Sequence, residues 1–232
     1  MSTGKAQQGK DANIYEQVFD AILEQRLIPG TRLSEDKLGQ LFGVSRTIVR
    51  TVLQRLAFEG VVEIQRHQGA IIARTTAEQA RQVFAARKAV ELEVVRNACR
   101  HISAVQLEHL HALVWEEQEA RGQQDHGRAL RLSGELHLYL AEYCGNEFLA
   151  GFLRSLVSRC SLIIAQYEAA DRHSCPPTEH GAILEAIGAG DEALAVKLMA
   201  AHIDHIEAKI DVREKTAPPD LSAIFSKTNK EN

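Results

Sequence analysis

The chain has 232 residues, 45% of them hydrophobic, and a formal net charge of −4 at pH 7, enough material for one large domain or two smaller ones. No apolar run approaches the length of a membrane span, and the polar opening MSTGKAQQGK lacks the apolar core of a secretion signal. Cys99, Cys144, Cys160 and Cys175 are widely spaced with no CxxC pair, which argues for reduced, mostly buried thiols in a cytoplasmic protein rather than a disulfide frame or zinc knuckle.

Residues 1–11 read as a disordered tail. A helix is expected from Ala12 to Leu27, with Ile14, Val18 and Ile22 on one stripe and Phe19 and Leu23 beside it, ended by Pro29-Gly30. Ser34 then caps a helix that buries Leu38, Leu41 and Phe42, and Gly43 supplies the tight turn that follows. Ser45 caps the next helix, whose apolar stripe is Val49, Val52, Leu53 and Leu56. Its opposite face carries Arg46, Thr47 and Arg50 near the N-terminus, and residues four apart on a helix point the same way. A recognition helix enters the major groove with this end toward the bases, where arginine can pair bidentately with guanine. Two short β-prone runs, Val61–Ile64 and Ala70–Ala73, flank Arg66-His67-Gln68-Gly69, a small wing with a basic tip. Turn glycine, both caps, polar first turn and basic hairpin agree with one another, so residues 12–74 are read as a winged helix-turn-helix that binds DNA. Charge supports this: residues 1–74 hold 10 of the 27 basic and 8 of the 31 acidic side chains, a balance of +2, whereas the remainder carries −6. That margin is thin, so affinity is expected to need two heads acting together and to fall with salt.

Residues 75–77 form the expected linker. From 78 to 212 the caps predict about six helices and no strand: Thr76-Ala77-Glu78-Gln79 and Ser103-Ala104-Val105-Gln106 are capping boxes, with further starts near Asp125, Asn146, Pro176-Pro177 and Asp191. The fold class is therefore mainly α, a winged helix-turn-helix joined to an all-helical bundle. Residues 213–232, with Pro218-Pro219, read as a disordered tail. Three histidines lie on apolar stripes of different helices: His137 with Ser133, Leu140 and Cys144; His180 with Ile183, Leu184 and Ile187; His202 with Leu198, Met199 and Ile206. Taken singly, each is more simply a hydrogen-bonded core residue. Taken together, three imidazoles converging in a bundle suit a divalent metal such as zinc or nickel. Arg87 lies on the stripe of Val83, Val90 and Val94, four residues before Glu91. Buried there, it either pairs with Glu91 or forks a ligand carboxylate.

From about Ala12 to Val212 these features resemble the GntR family of bacterial transcription regulators, in its FadR-like branch with a helical FCD ligand-binding domain. In the head the resemblance rests on Leu33-Ser34-Glu35, Gly43-Val44-Ser45-Arg46-Thr47, Val49-Arg50, Leu53-Gln54-Arg55-Leu56, Glu59-Gly60 and Gly69. It implies that Arg46 and Arg50 read bases or nearby phosphates, that Ser45 and Thr47 hold the DNA backbone, and that His67 and Gly69 enter the minor groove. Arg66 belongs to the same wing. Asp36 stands where the family often has a DNA-contacting arginine, and Lys37 is the expected substitute. In the bundle, Arg87 and Glu91, Leu136-His137 with Gly145-Asn146, Glu179-His180 and Met199-Ala200-Ala201-His202 match the family signatures. The resemblance implies a metal held by His137, His180 and His202. Ser133 replaces the family's aspartate ligand, so water or an effector carboxylate would complete the sphere beside Arg87 and Ser133. A ligand-controlled regulator is expected, most often a repressor in this family: a homodimer on a two-fold operator in double-stranded DNA, answering to a small organic acid, with no membrane partner and no enzymatic role. Two rivals stand beside it, a metal-dependent hydrolase with Glu179 or Glu135 as base and an effector-free architectural DNA binder.

Overall fold

The structure, a computed structural model, describes residues 3–66, 69–167 and 177–210; the side chains of 3–11 and Pro177 lie outside that description. Twelve elements follow in order among the described residues: α1 (Thr3–Leu23), β1 (Arg32–Leu33), α2 (Glu35–Phe42), α3 (Arg46–Phe58), β2 (Val62–Gln65), β3 (Gly69–Ile72), α4 (Ala77–His101), α5 (Ala104–Gly122), α6 (His126–Tyr143), α7 (Glu147–Tyr167), α8 (Pro177–Gly188) and α9 (Glu192–Ala208). The chain is mainly α, with a winged helix-turn-helix followed by six helices.

In the head, Ile14, Val18, Phe19, Ile22 and Leu23 of α1 are buried with Val49, Val52, Leu53 and Leu56 of α3. Ser34 and Ser45 cap α2 and α3 as their hydroxyls accept from the N–H groups of Lys37 and Ile48, both at 3.4 Å. Gly43 closes α2 at φ 62°, a conformation costly for any residue with a Cβ. The antiparallel sheet has the order β1-β3-β2, with Leu33 opposite Ala70 and Val62 opposite Ile72. Gly69 has φ +86°, and a Cβ there would lie 2.2 Å from the Leu33 carbonyl oxygen. Its glycine is thus required by the close approach of β1.

Three expectations need correction. Residues 3–11, expected as a disordered tail, are helical: α1 runs back to Thr3, through Ala6, Gln7, Gln8 and Lys10, all good helix formers. The same helix stops at Leu23, not Leu27. Gln25 adopts φ 56°, its N–H bonds the Ile22 carbonyl at 3.0 Å, and the chain turns there while Leu27 stays buried. Finally, α7 is long and apolar enough in composition to cross a membrane. Here it packs against α1, α4 and α6 with Leu153, Val157, Cys160, Leu162 and Ile163 buried, while Phe148 and Phe152 stay exposed.

Behind the head, α4 carries Phe84, Val94 and Val95 into the core, packed by α6, α7, α8 and α9. Both predicted capping boxes form, at Thr76 and Ser103. Asp125 and Asp191 cap α6 and α9, and the Asn146 side chain accepts from Phe148 and Leu149 N–H at the start of α7. The segment between β3 and α4 is fixed by α7. Gln166 Oε1 accepts from the Thr75 N–H and Gln166 Nε2 donates to the Thr75 carbonyl, both at 3.0 Å, while the Tyr167 hydroxyl donates to that same carbonyl. One turn and more before, Ser155 Oγ and Arg159 Nε donate to the Glu59 carbonyl at 2.8 and 3.1 Å, and Arg154 Nε donates to the Tyr15 hydroxyl at 3.0 Å. Cys144 and Cys160 are buried thiols and Cys99 is half-buried; Cys175 and residues 213–232 lie outside the described residues.

Candidate functional site

Two constellations stand out. The first lies on the head. Burying Ile48, Val49, Val52, Leu53 and Leu56 turns the other face of α3 outward, so Ser45, Arg46, Thr47 and Arg50 are exposed together at its N-terminal end. Lys37 is exposed on α2 and Arg66 on the wing. A concave surface of about 660 Å³ is lined by Arg32, Arg46, Arg50 and Arg66, with Glu35 and Asp36 among them. Arg32, on the unforeseen strand β1, is the residue the sequence reading missed. Two of these arginines are paired inside the head. Arg50 meets Glu35 side-on, Nε to Oε1 at 3.1 Å and Nη2 to Oε2 at 2.8 Å, and that contact holds the Glu35 carboxyl below its ordinary range. Arg46 pairs with Asp36. Gly69 borders this surface with backbone only, and His67 lies outside the described residues.

The second constellation is buried in the bundle. His137 (α6), His180 (α8) and His202 (α9) are at most 2% exposed. Their Nε2 atoms converge: His202 lies 3.2 Å from His137 and 3.3 Å from His180. Each outer nitrogen meets a carboxylate. Glu91 Oε2 lies 2.6 Å from His137 Nδ1, Glu117 Oε2 2.8 Å from His180 Nδ1, and Glu179 Oε2 2.9 Å from His202 Nδ1. A carboxylate can only accept when ionised, so each contact assigns the proton to Nδ1 and leaves Nε2 as a lone pair. Electrostatics agree. Burial pushes Glu91 and Glu117 upward, but His137 and Arg87 outweigh it for the first, and His180 and Arg121 for the second, so both carboxyls end below their ordinary range. Glu179 is lowered to about 2, chiefly by its bond to His202. Burial lowers His137, and it takes His202 down to about 3, so these two rings stay neutral.

Three lone pairs thus face one point with no proton to share. Without a cation they repel, and with one they are three ligands whose outer partners fix tautomer and orientation. The spacing suits this: nitrogens about 2.0–2.1 Å from a common ion lie roughly 2.8 to 3.4 Å apart for angles from octahedral to tetrahedral, and the two separations from His202 fall in that range. The residues present therefore fit a divalent metal.

Beside the cage is a cavity of about 50 Å³, lined by His137, Arg87 and Ser133, with Ser161, Lys209 and Gln25 completing its polar groups. Among the described residues, no carboxylate lines it. Arg87 is 4% exposed and gives Nε to Glu91 Oε1 at 2.6 Å. Of the two alternatives for Arg87, the internal pair is formed, and the same side chain also borders the cavity. Glu91 joins Arg87 to His137, so the arginine is coupled to a cage ligand through one carboxylate. Glu117 is what sequence reasoning missed. Its signal was its place on the apolar stripe of α5 with Leu110, Leu113 and Val114. Neither carboxylate considered as a hydrolytic base faces the converging nitrogens. Glu179 is engaged by His202 Nδ1 and by His205 Nδ1 at 2.7 Å, and Glu135 pairs with Arg131 at 2.5 Å.

Comparison with known proteins bears on both constellations. The family model described as bacterial regulatory proteins, gntR family, matches residues 10–72, and that of the FCD domain matches residues 82–205. The transcriptional repressor RspR of Escherichia coli K12 is 24% identical over 201 residues, 85% of this chain and 87% of the relative. The Nta operon transcriptional regulator of Aminobacter aminovorans is 30% identical over 131 residues, 56% of this chain and 62% of the relative. Among solved structures, E. coli McbR/YncC superposes with a TM-score of 0.75 at 17% identity, covering 95% of this chain and 99% of that one.

Proposed function

The chain belongs to the GntR family of bacterial regulatory proteins and carries an FCD domain, and from that premise we propose how this transcriptional regulator works. The head binds double-stranded operator DNA with α3 in the major groove, Arg46 and Arg50 reading bases or phosphates, Ser45 and Thr47 on the backbone, and Lys37 and the wing around Arg66 to Gly69 alongside. Two copies act as a homodimer on a two-fold site in the cytoplasm. The regulator is a repressor, the description that its relative RspR bears.

The effector is a small organic acid held in the cavity beside a zinc or nickel ion on His137, His180 and His202. The observation that carries this reading is the cage itself: three carboxylate-anchored imidazoles with converging Nε2 atoms, next to a cavity whose charged groups among the described residues are Arg87 and Lys209. When bound, the ion would supply positive charge to an incoming carboxylate, with no carboxylate among the three side chains that would hold it. Ser133, where a fourth carboxylate ligand would otherwise stand, adds no negative charge, so an anion meets a more cationic site. Around it Arg87 presents a second cation, and Leu130, Val157 and Ile164 exclude water. Effector binding then shifts DNA affinity to the extent that it favours one arrangement of the heads over the other.

Thermal unfolding of the purified protein against a panel of small organic acids, with and without prior chelation, tests this. The expected result is a midpoint raised by at least one acid and abolished by chelation. A shift that survives chelation would make the histidines direct hydrogen-bonding groups, and no shift with any acid would remove the organic-acid reading.

A further inference from the structure

Among the described residues, one buried side-chain polar atom has no hydrogen-bond partner: Gln25 Nε2. It lines the cavity beside His137, Ser133 and Arg87, yet Gln25 belongs to the DNA-binding head, two residues past the end of α1. Its backbone is in the left-handed region at φ 56°, a conformation that costs a residue with a Cβ roughly 1–2 kcal/mol. Buried donors are almost always satisfied, because leaving one unpaired forfeits its hydration without return. Strain and an orphaned donor at the same residue, beside a cavity lined by no carboxylate among the described residues, are what a preformed ligand contact looks like before its ligand arrives.

We propose that Gln25 is an effector-contacting residue, its amide Nε2 donating a hydrogen bond to an oxygen of the bound acid, so that the effector is gripped jointly by the bundle and by the DNA-binding head. This deepens the organic-acid reading above and rests on it. Gln25 follows directly on α1, and α1 packs along α3 through Val18, Phe19 and Ile22. Arg55 of α3 stacks over the Tyr15 ring of α1 at 3.5 Å. A ligand that draws on Gln25 therefore acts on the element that carries the recognition helix, with no intervening linker. Leu23 closes the same corner: a Cβ on Gly134 of α6 would meet its methyl groups at 3.4 and 3.5 Å.

The test uses the full chain, nickel-loaded, with acetate, oxalate, malonate, succinate and citrate as probes in titration calorimetry, comparing wild type with Gln25→Met and Gln25→Glu. Methionine keeps the length and removes the donor. The expected result is that the acids bound by wild type bind Gln25→Met about tenfold or more weakly and Gln25→Glu more weakly still, since a carboxylate would face an anion. Nickel content should be unchanged, and the ligand-free unfolding midpoint of Gln25→Met should be equal or higher, because an unpaired donor is gone. A residue with a merely structural role would instead lower that midpoint and leave acid affinity alone. Equal acid affinity, within twofold, in wild type and Gln25→Met would overturn this inference while leaving the organic-acid reading standing. No binding of any probe to wild type would remove that reading and this one with it.

Discussion

Glu117 lies on α5 with Leu110, Leu113 and Val114, and all four are buried. An isolated carboxylate there would be prohibitively costly. It is tolerated because His180 Nδ1 and Arg121 use both of its oxygens, the latter at 2.6 Å. Its task is to hold His180 with Nε2 free. Glu117→Gln keeps the shape and weakens the acceptor, and such outer partners typically govern metal affinity by 10–100-fold. We expect about that loss of zinc affinity, measured by competition with a chromophoric chelator; unchanged affinity would mean that His180 is not a ligand. The histidines themselves were legible, because residues on an apolar stripe at helical spacing must face inward. Their partners were not. Which carboxylate meets which imidazole is set by how α5 packs on α8, and sequence spacing carries no information about that. Gln25 was equally hidden, since its proposed role depends on a left-handed backbone and on the turn after α1 reaching the cavity. On the head, Arg50→Ala should cost about 1–3 kcal/mol in binding to DNA fragments selected by the wild type, at matched salt and with the fold intact. Unchanged affinity would displace Arg50 from the groove.

At the scale of elements, capping chemistry located nearly every helix of the bundle, because Thr76, Ser103, Asp125, Asn146 and Asp191 each satisfy orphan N–H groups locally. Strand β1 escaped notice for the opposite reason. Two residues show no alternation, and Arg32 and Leu33 become a strand only by pairing with Ile71 and Ala70, far along the chain. Where α1 meets α6, a carboxyl is held at a cost. Burial raises Asp20 to about 6, with Arg131 opposing and Glu135 and Glu24 adding to it. A carboxyl raised in the folded state costs nothing below its unfolded value near 4, and its penalty grows as pH climbs from there through about 6. Asp20→Asn should therefore raise the unfolding midpoint above pH 6.5, with the gain shrinking to nothing by about pH 4. A gain that persists at pH 4 would trace the effect to packing instead.

For the molecule as a whole, the cage ties α6, α8 and α9 together, Glu91 brings in α4 and Glu117 brings in α5. A cation at this point would link five helices, so its binding would contribute to folding. Free metal at a hundred times its dissociation constant adds about 2.7 kcal/mol, which for a chain of this size is a midpoint shift of roughly 2–4 °C per kcal/mol. Chelation of the loaded protein should lower the midpoint by several degrees, and His202→Ala should abolish the difference. If the variant responds to chelation like the wild type, the metal sits elsewhere. DNA affinity should fall steeply with salt, although Arg46 and Arg50 must first exchange Asp36 and Glu35 for phosphates or bases.

The grip of Gln166 and Tyr167 on the Thr75 peptide removes the swivel that a joint between two domains ordinarily provides. What remains is a lever. Helix α7 is 21 residues long, about 30 Å. It walls the cavity with Val157, Ser161 and Ile164, while Arg154, Ser155, Arg159 and Gln166 hold the head. The two sets interleave within the same turns, so a shift of the cavity wall is also a shift of the head's anchors. Under the proposed reading, a ligand pressing on this wall steers the head through the stiffness of one helix as well as through Gln25.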